Sequence, residues 1–225
     1  MQFYREFWLL FSSEWKQSIS KSSSVFSILL YLTSISYLVY FLMNIQGALV
    51  QLEVKYWNIL FWVVILFTII SQIFINFSKD SSARYLYYFL LFRPESFILS
   101  KIAFHTTYGI FFSLFTFLFF NLWLGNPIEN LPIFLLTIIL SSTGFSIIYT
   151  LTTAISIATQ KSTLLSSILG FPLSLPIIIY TSKLCRESFS QTPSDNLFQT
   201  FGILLGFNLL LIIMSLILFP YIWKE

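Results

Sequence analysis

One cysteine, one histidine and seven glycines stand among 225 residues, and only 9% of the residues are charged. A lone thiol cannot close a disulfide within the chain, and Cys185 with His105 is too small a donor set for a metal centre. The phosphate-binding pattern G-x-x-x-x-G-K-[ST] does not occur, so the chain cannot burn ATP unaided, and neither does the zinc-protease pattern H-E-x-x-H. No acidic pair lies within an apolar run, which argues against a proton-relay pump. Twelve Lys and Arg against nine Asp and Glu leave a net charge of +3. The basic residues are scattered between apolar blocks and form no stripe, so nucleic acid is not an expected partner. A secretory-signal pattern is missing too, because Arg5, Glu6, Glu14 and Lys16 interrupt the first apolar residues and no small-residue cleavage site follows.

What is present is apolar bulk: 57% hydrophobic residues, 20% aromatic, and a mean hydropathy of +0.84. A soluble domain carries roughly 25% charged residues, so this chain cannot cover a water-facing surface and its exterior must face lipid. The length suits one domain, residues 1–225. A hydrocarbon core of about 30 Å takes about 20 residues of helix, the form that satisfies its own backbone in lipid. Six segments qualify, at Val25–Met43, Tyr56–Phe77, Ile102–Leu124, Leu131–Ala158, Leu164–Ser182 and Phe198–Trp223. The expected fold is all-α, with six transmembrane helices.

Positive residues stay preferentially on the cytoplasmic side. With both termini inside, Arg5, Lys16, Lys21, Lys79, Arg84, Arg93, Lys101, Lys161 and Lys224 are cytoplasmic, and Lys55, Lys183 and Arg186 lie outside, nine against three. Trp8, Trp15, Trp57, Trp123 and Trp223 stand before spans or near span ends, where an amphipathic ring suits the headgroup layer. Within residues 1–24, Phe3, Phe7, Trp8, Phe11, Trp15 and Ile19 recur at helical spacing. This predicts an interfacial helix lying on the membrane, with a mechanical task or simply as an anchor.

The longest cytoplasmic connection, residues 78–101, reads SKDSSARYLYYFLLFRPESFILSK. Asp80, Ser81 or Ser82 can cap a short helix through Leu91, and Pro94 with Glu95 suits the first turn of another. Such an element can plug into a soluble partner through Asp80, Arg84, Tyr85, Tyr88, Arg93 and Glu95; the plain alternative is a solvated connector. In the fifth span, Pro172 and Pro176 each remove a backbone donor, which predicts a break near mid-membrane on a helix facing the bundle interior, used as a gate or for packing. The outer loop 183–197 either shapes an exit through short re-entrant helices or merely connects. Gly202 and Gly206 form a G-x-x-x-G pair that admits a neighbouring helix, within the chain or in a dimer. His105, one turn after Lys101, can titrate, ligate iron or hydrogen-bond to a neighbouring helix.

The segment SSEWKQ closing the N-terminal helix, RPESFILSKIAFH leading into the third span, and FPLSLPIII in the fifth resemble the heme exporter protein B family, over nearly the whole chain. The resemblance implies a type-2 exporter-like permease subunit of an ABC transporter in cytochrome c maturation, in the bacterial cytoplasmic (inner) membrane. It implies a permease homodimer, a cytoplasmic ATPase partner that uses the ATP, and a heme-handling membrane protein and heme chaperone as further partners. It makes Asp80–Leu91 a coupling helix, and it matches Lys101 and His105, and Pro172 with Pro176, to family positions. Members commonly carry a Glu-Asp-Gly-Thr type of sequence where this chain has Lys79 to Arg84, which leaves the individual ATPase contacts open. No tightly bound cofactor is expected; heme enters as a transported or handled ligand. Within transport the alternative cargo is a lipid, polysaccharide or drug, and outside it the alternative role is a static scaffold for heme-handling partners.

Overall fold

The structure, a computed structural model, describes residues 2–20, 23–44, 53–78, 88, 90–158, 164–192 and 194–223. Among them are seven helices and no strand: α1 (Gln2–Ser20), α2 (Ser23–Asn44), α3 (Val54–Ser78), α4 (Pro94–Leu124), α5 (Leu131–Ala158), α6 (Leu164–Glu187) and α7 (Leu197–Trp223). All but α1 are long and apolar enough to cross a membrane, matching the six expected spans. α4 has 31 residues, a rise of about 46 Å, so it overruns a hydrocarbon core of about 30 Å by several turns.

α5 is the centre of the bundle, packed on α3, α4, α6 and α7, and α2 is the least enclosed span. The reason is chemical. α5 carries Thr137, Ser141, Ser142, Ser146, Thr150, Thr152 and Thr153, all buried, and hydroxyls in hydrocarbon need partners. Several find them across helix boundaries: Ser142 with Ser113 of α4 at 3.1 Å, Ser141 with Thr181 of α6 at 2.6 Å, and Thr153 with Ser166 at 2.9 Å. Small residues let the axes close up. A methyl group on Gly170 of α6 would come within 2.5 Å of the Tyr149 ring of α5.

The two ends of the bundle differ. At the end holding the α4–α5 and α6–α7 connections, Trp57, Phe61, Phe120, Phe134 and Phe189 form one aromatic cluster, with Trp57 stacked on Phe61 at 4.9 Å. Backbone bonds from Glu129 and Asn130 to the Ser188 carbonyl tie the two connections together. The other end, where α3 stops and α4 starts, is charged and polar.

One expectation needs correction, and two are narrowed. The fifth span is one continuous helix through Pro172 and Pro176, not a broken one, and its prolines do not face the interior. The buried stripe is Ser166, Gly170, Ser174, Ile177, Thr181 and Cys185, whereas Pro172 is exposed and Pro176 half-buried. The same helix runs on to Glu187, so the first five residues of the expected 183–197 loop are helical; the described residues from Ser188 to Asn196 are turns, bends and irregular backbone rather than re-entrant helices. Gly202 and Gly206 are exposed, and a Cβ on either meets no described atom within 4 Å, so they do not serve packing among the described helices.

Candidate functional site

The polar end is organised around α1. Its packed face is the four-residue stripe Glu6, Leu10, Glu14 and Ser18, all buried, and the aromatic stripe seen in the sequence lies to its flank. Phe7, Phe11 and Trp15 are half-buried, while Phe3, Tyr4 and Trp8 are exposed. The packed face runs along α4. The Arg93 amide reaches Glu6 Oε2 at a long 3.4 Å, Lys101 Nζ meets Glu14 Oε1 at 2.7 Å, and Ser18 Oγ meets the Tyr108 hydroxyl at 2.5 Å. The first two contacts each span 87 residues of sequence and the third 90. A nearly constant offset means that α1 and the first half of α4 run side by side in the same direction.

The Glu14–Lys101 pair is almost fully enclosed, with 3% and 1% of the side chains exposed. Bringing two such charges out of water is costly unless the remaining donors and acceptors are also satisfied. Asn76 of α3 does this for both partners: its Nδ2 donates to Glu14 Oε2 and its Oδ1 accepts from Lys101 Nζ, each at 3.1 Å. The ammonium also lies over the rings of Phe77 at 5.0 Å and Phe97 at 5.8 Å, a placement favoured by the negative ring face. One turn further along α4, His105 Nδ1 is 2.8 Å from Gln72 Nε2, and its ring stacks on Phe77. Gln72 Oε1 and His105 Nε2 have no hydrogen-bond partner among the described residues. Beside them is a cleft between α1, α2, α3 and α4, lined by Ser18, Gln72, Asn76 and Tyr108 among others. Its volume of about 10 Å³ suits a single water.

Of the expected contact residues, Asp80, Arg84 and Tyr85 lie outside the described residues. Tyr88 is corrected: it is buried, packed against Phe92 and Phe97, and so serves as an anchor rather than an outward contact. Phe97 in turn stacks on Phe219 of α7 at 5.9 Å. Arg93 is exposed and extended, with Pro94 following it as the first residue of α4 as expected; Glu95 is half-buried in that first turn. Leu90 and Leu91, which sequence reasoning passed over, are 78% and 54% exposed. Lys101 and His105 come together in one polar cluster; Pro172 and Pro176 belong to another part of the molecule.

Glu6, Glu14, Gln72 and Asn76 were the residues missed. A signal existed for Glu14: a lysine seven residues into an apolar helix needs a counter-charge, and only nine acids are available.

The fold and this site define a class: a multi-pass helical membrane protein whose elaborated connection between the second and third spans is anchored by buried charge. The chain belongs to the CcmB protein family, which it matches over residues 5–222. It is therefore a membrane component of the heme exporter system, a family whose members partner an ABC ATPase and other proteins of the same membrane complex. A comparison with curated proteins gave no match.

Proposed function

We propose that the chain is the permease subunit of an ABC transporter complex in cytochrome c biogenesis, converting ATP hydrolysis by a separate subunit into heme export or the release of a heme-loaded chaperone. The whole of residues 1–225 acts as one type-2 exporter-like permease domain in the bacterial inner membrane, paired with a second copy, with both termini and residues 78–101 in the cytoplasm. α1 stands alongside the start of α4 rather than lying flat on the membrane, and its exposed Phe3, Tyr4 and Trp8 are turned to the headgroup layer.

The observation that carries this reading is the exposed Leu90–Leu91 pair beside exposed Arg93, on a segment rooted in the bundle through Tyr88 and Lys101. Apolar side chains held outward next to a charge on a firm base suit docking of a soluble partner. Asp80, Arg84, Tyr85 and Glu95 complete the docking surface. Lys101 and His105, near the root of that segment, act in conformational change, and Gly202 with Gly206 lets the second copy approach α7 closely.

The test is co-purification with the ATPase. Leu90→Asp with Leu91→Asp leaves the permease in the membrane but lowers recovery of the ATPase subunit by about tenfold, or about 1.4 kcal/mol. An ATPase that is recovered equally with the double variant, and that hydrolyses ATP at the same rate with and without the permease, removes the reading. A deletion strain that still matures periplasmic cytochromes assigns the permease to another cargo, a lipid, polysaccharide or drug.

A further inference from the structure

The connection between α3 and α4 has two roots. One is the last turn of α3, containing Asn76 and Phe77; the other is the first two turns of α4, from Pro94 to Lys101. The buried cluster joins these roots to each other, since Lys101 bonds to Asn76 and lies over Phe77. It also joins them to a third helix, because Glu14 of α1 bonds to both Lys101 and Asn76. A purely local staple between the roots would need no acid from α1. The acid is there, it is almost fully buried, and a second acid on the same face, Glu6, reaches the backbone where α4 begins.

We propose that α1 is part of the force-receiving apparatus, pinned by Glu14 through Lys101 and Asn76 to both roots of the α3–α4 connection, so that a push on that connection moves α1, α3 and α4 as one body. This rests on the coupling role given above to residues 78–101. Without the pin, displacement of the connection is absorbed where α1 slides on α4, a contact otherwise made by the long hydrogen bond from the Arg93 amide to Glu6, the Trp15 ring and the Ser18–Tyr108 bond. Glu14 is then a positioning residue. It touches no cargo and acts through Lys101.

Removing one charge strands the other in the interior, which costs folding whatever the role of the pair. The discriminating variant removes both: Glu14→Leu with Lys101→Met strands neither member of the pair and leaves no pin. The full-length permease is followed by membrane abundance, by the distance between spin labels at Leu9→Cys on α1 and Ser78→Cys at the end of α3, and by cytochrome c matured per ATP hydrolysed in the assembled complex. Leu9 and Ser78 are exposed, and the native Cys185 is buried.

Each single variant is expected to lose about tenfold in abundance, and the double variant to regain the wild-type level. The double variant should nonetheless show a broadened label distance and about tenfold less cytochrome per ATP. The exchanged pair, Glu14→Lys with Lys101→Glu, should narrow the distance again, because a flip of the Asn76 amide reverses its donor and acceptor roles. A double apolar variant that matches wild type in distance and yield overturns the proposal. If cytochromes mature with a hydrolysis-dead ATPase, the coupling role itself fails and the force-transmitting part fails with it. That outcome is recognisable because the yields of wild type and variants then agree while their label distances still differ.

Discussion

Asn76 is the residue whose loss is least disguised by other effects, since it carries no charge and bonds to both members of the Glu14–Lys101 pair. Asn76→Ala removes an acceptor from a buried ammonium and a donor from a buried carboxylate. We expect it to destabilise the protein by about 1–3 kcal/mol, read as a lower midpoint in thermal denaturation in detergent. Gly170 gives a second measure at the same scale. An alanine there drives its methyl group into the buried Tyr149 ring, an overpacking that costs about 1–3 kcal/mol. Gly202→Ala meets no described atom, so the same measurement should leave it within about 0.5 kcal/mol of wild type. If α7 instead meets a second copy at this glycine, the substitution lowers the dimer fraction in cross-linking.

At the scale of the helix, α1 separates what the sequence makes legible from what it hides. Its aromatic spacing announces an amphipathic helix, and one exists over Gln2–Ser20. Periodicity does not say which face packs, because in a membrane protein the apolar face can turn to lipid while the polar face is the one that needs protein. Glu6 and Glu14 were thus readable as residues but not as a docking face. Span number and most span ends were legible because length and apolarity are set by hydrocarbon thickness. The buried Tyr88 was not, since a tyrosine in a polar connection reads equally well as contact or anchor, and only the neighbouring Phe92 and Phe97 decide. Pro172 misled for a related reason: composition reports the missing donor, not the side of the helix that carries it. The outward face of α1 can be checked by fluorescence. In single-tryptophan variants, brominated lipids should quench Trp8, which is 57% exposed, and leave Trp57, 1% exposed, nearly unquenched; equal quenching of both would refute this packing.

For the whole molecule, the two ends of the bundle are unlike in chemistry, aromatic at one and charged at the other, and the proposed orientation puts the charged end in the cytoplasm. A membrane-impermeant thiol reagent should therefore label Gln191→Cys from outside the cell and reach Ser78→Cys only after permeabilisation; both positions are exposed. The reverse pattern would place the ATPase-facing surface on the wrong side. The constant spacing between α1 and α4 also bears on how the chain is made. Glu14 leaves the ribosome 87 residues before Lys101, a delay of roughly 4–17 s at ordinary elongation rates. During that interval two spans, α2 and α3, must be delivered, and the acids on α1 have no resting place in the bundle. The first helix synthesised accordingly settles only once α4 has arrived. A nascent chain halted before α4 should carry an N-terminal helix that proteases still reach.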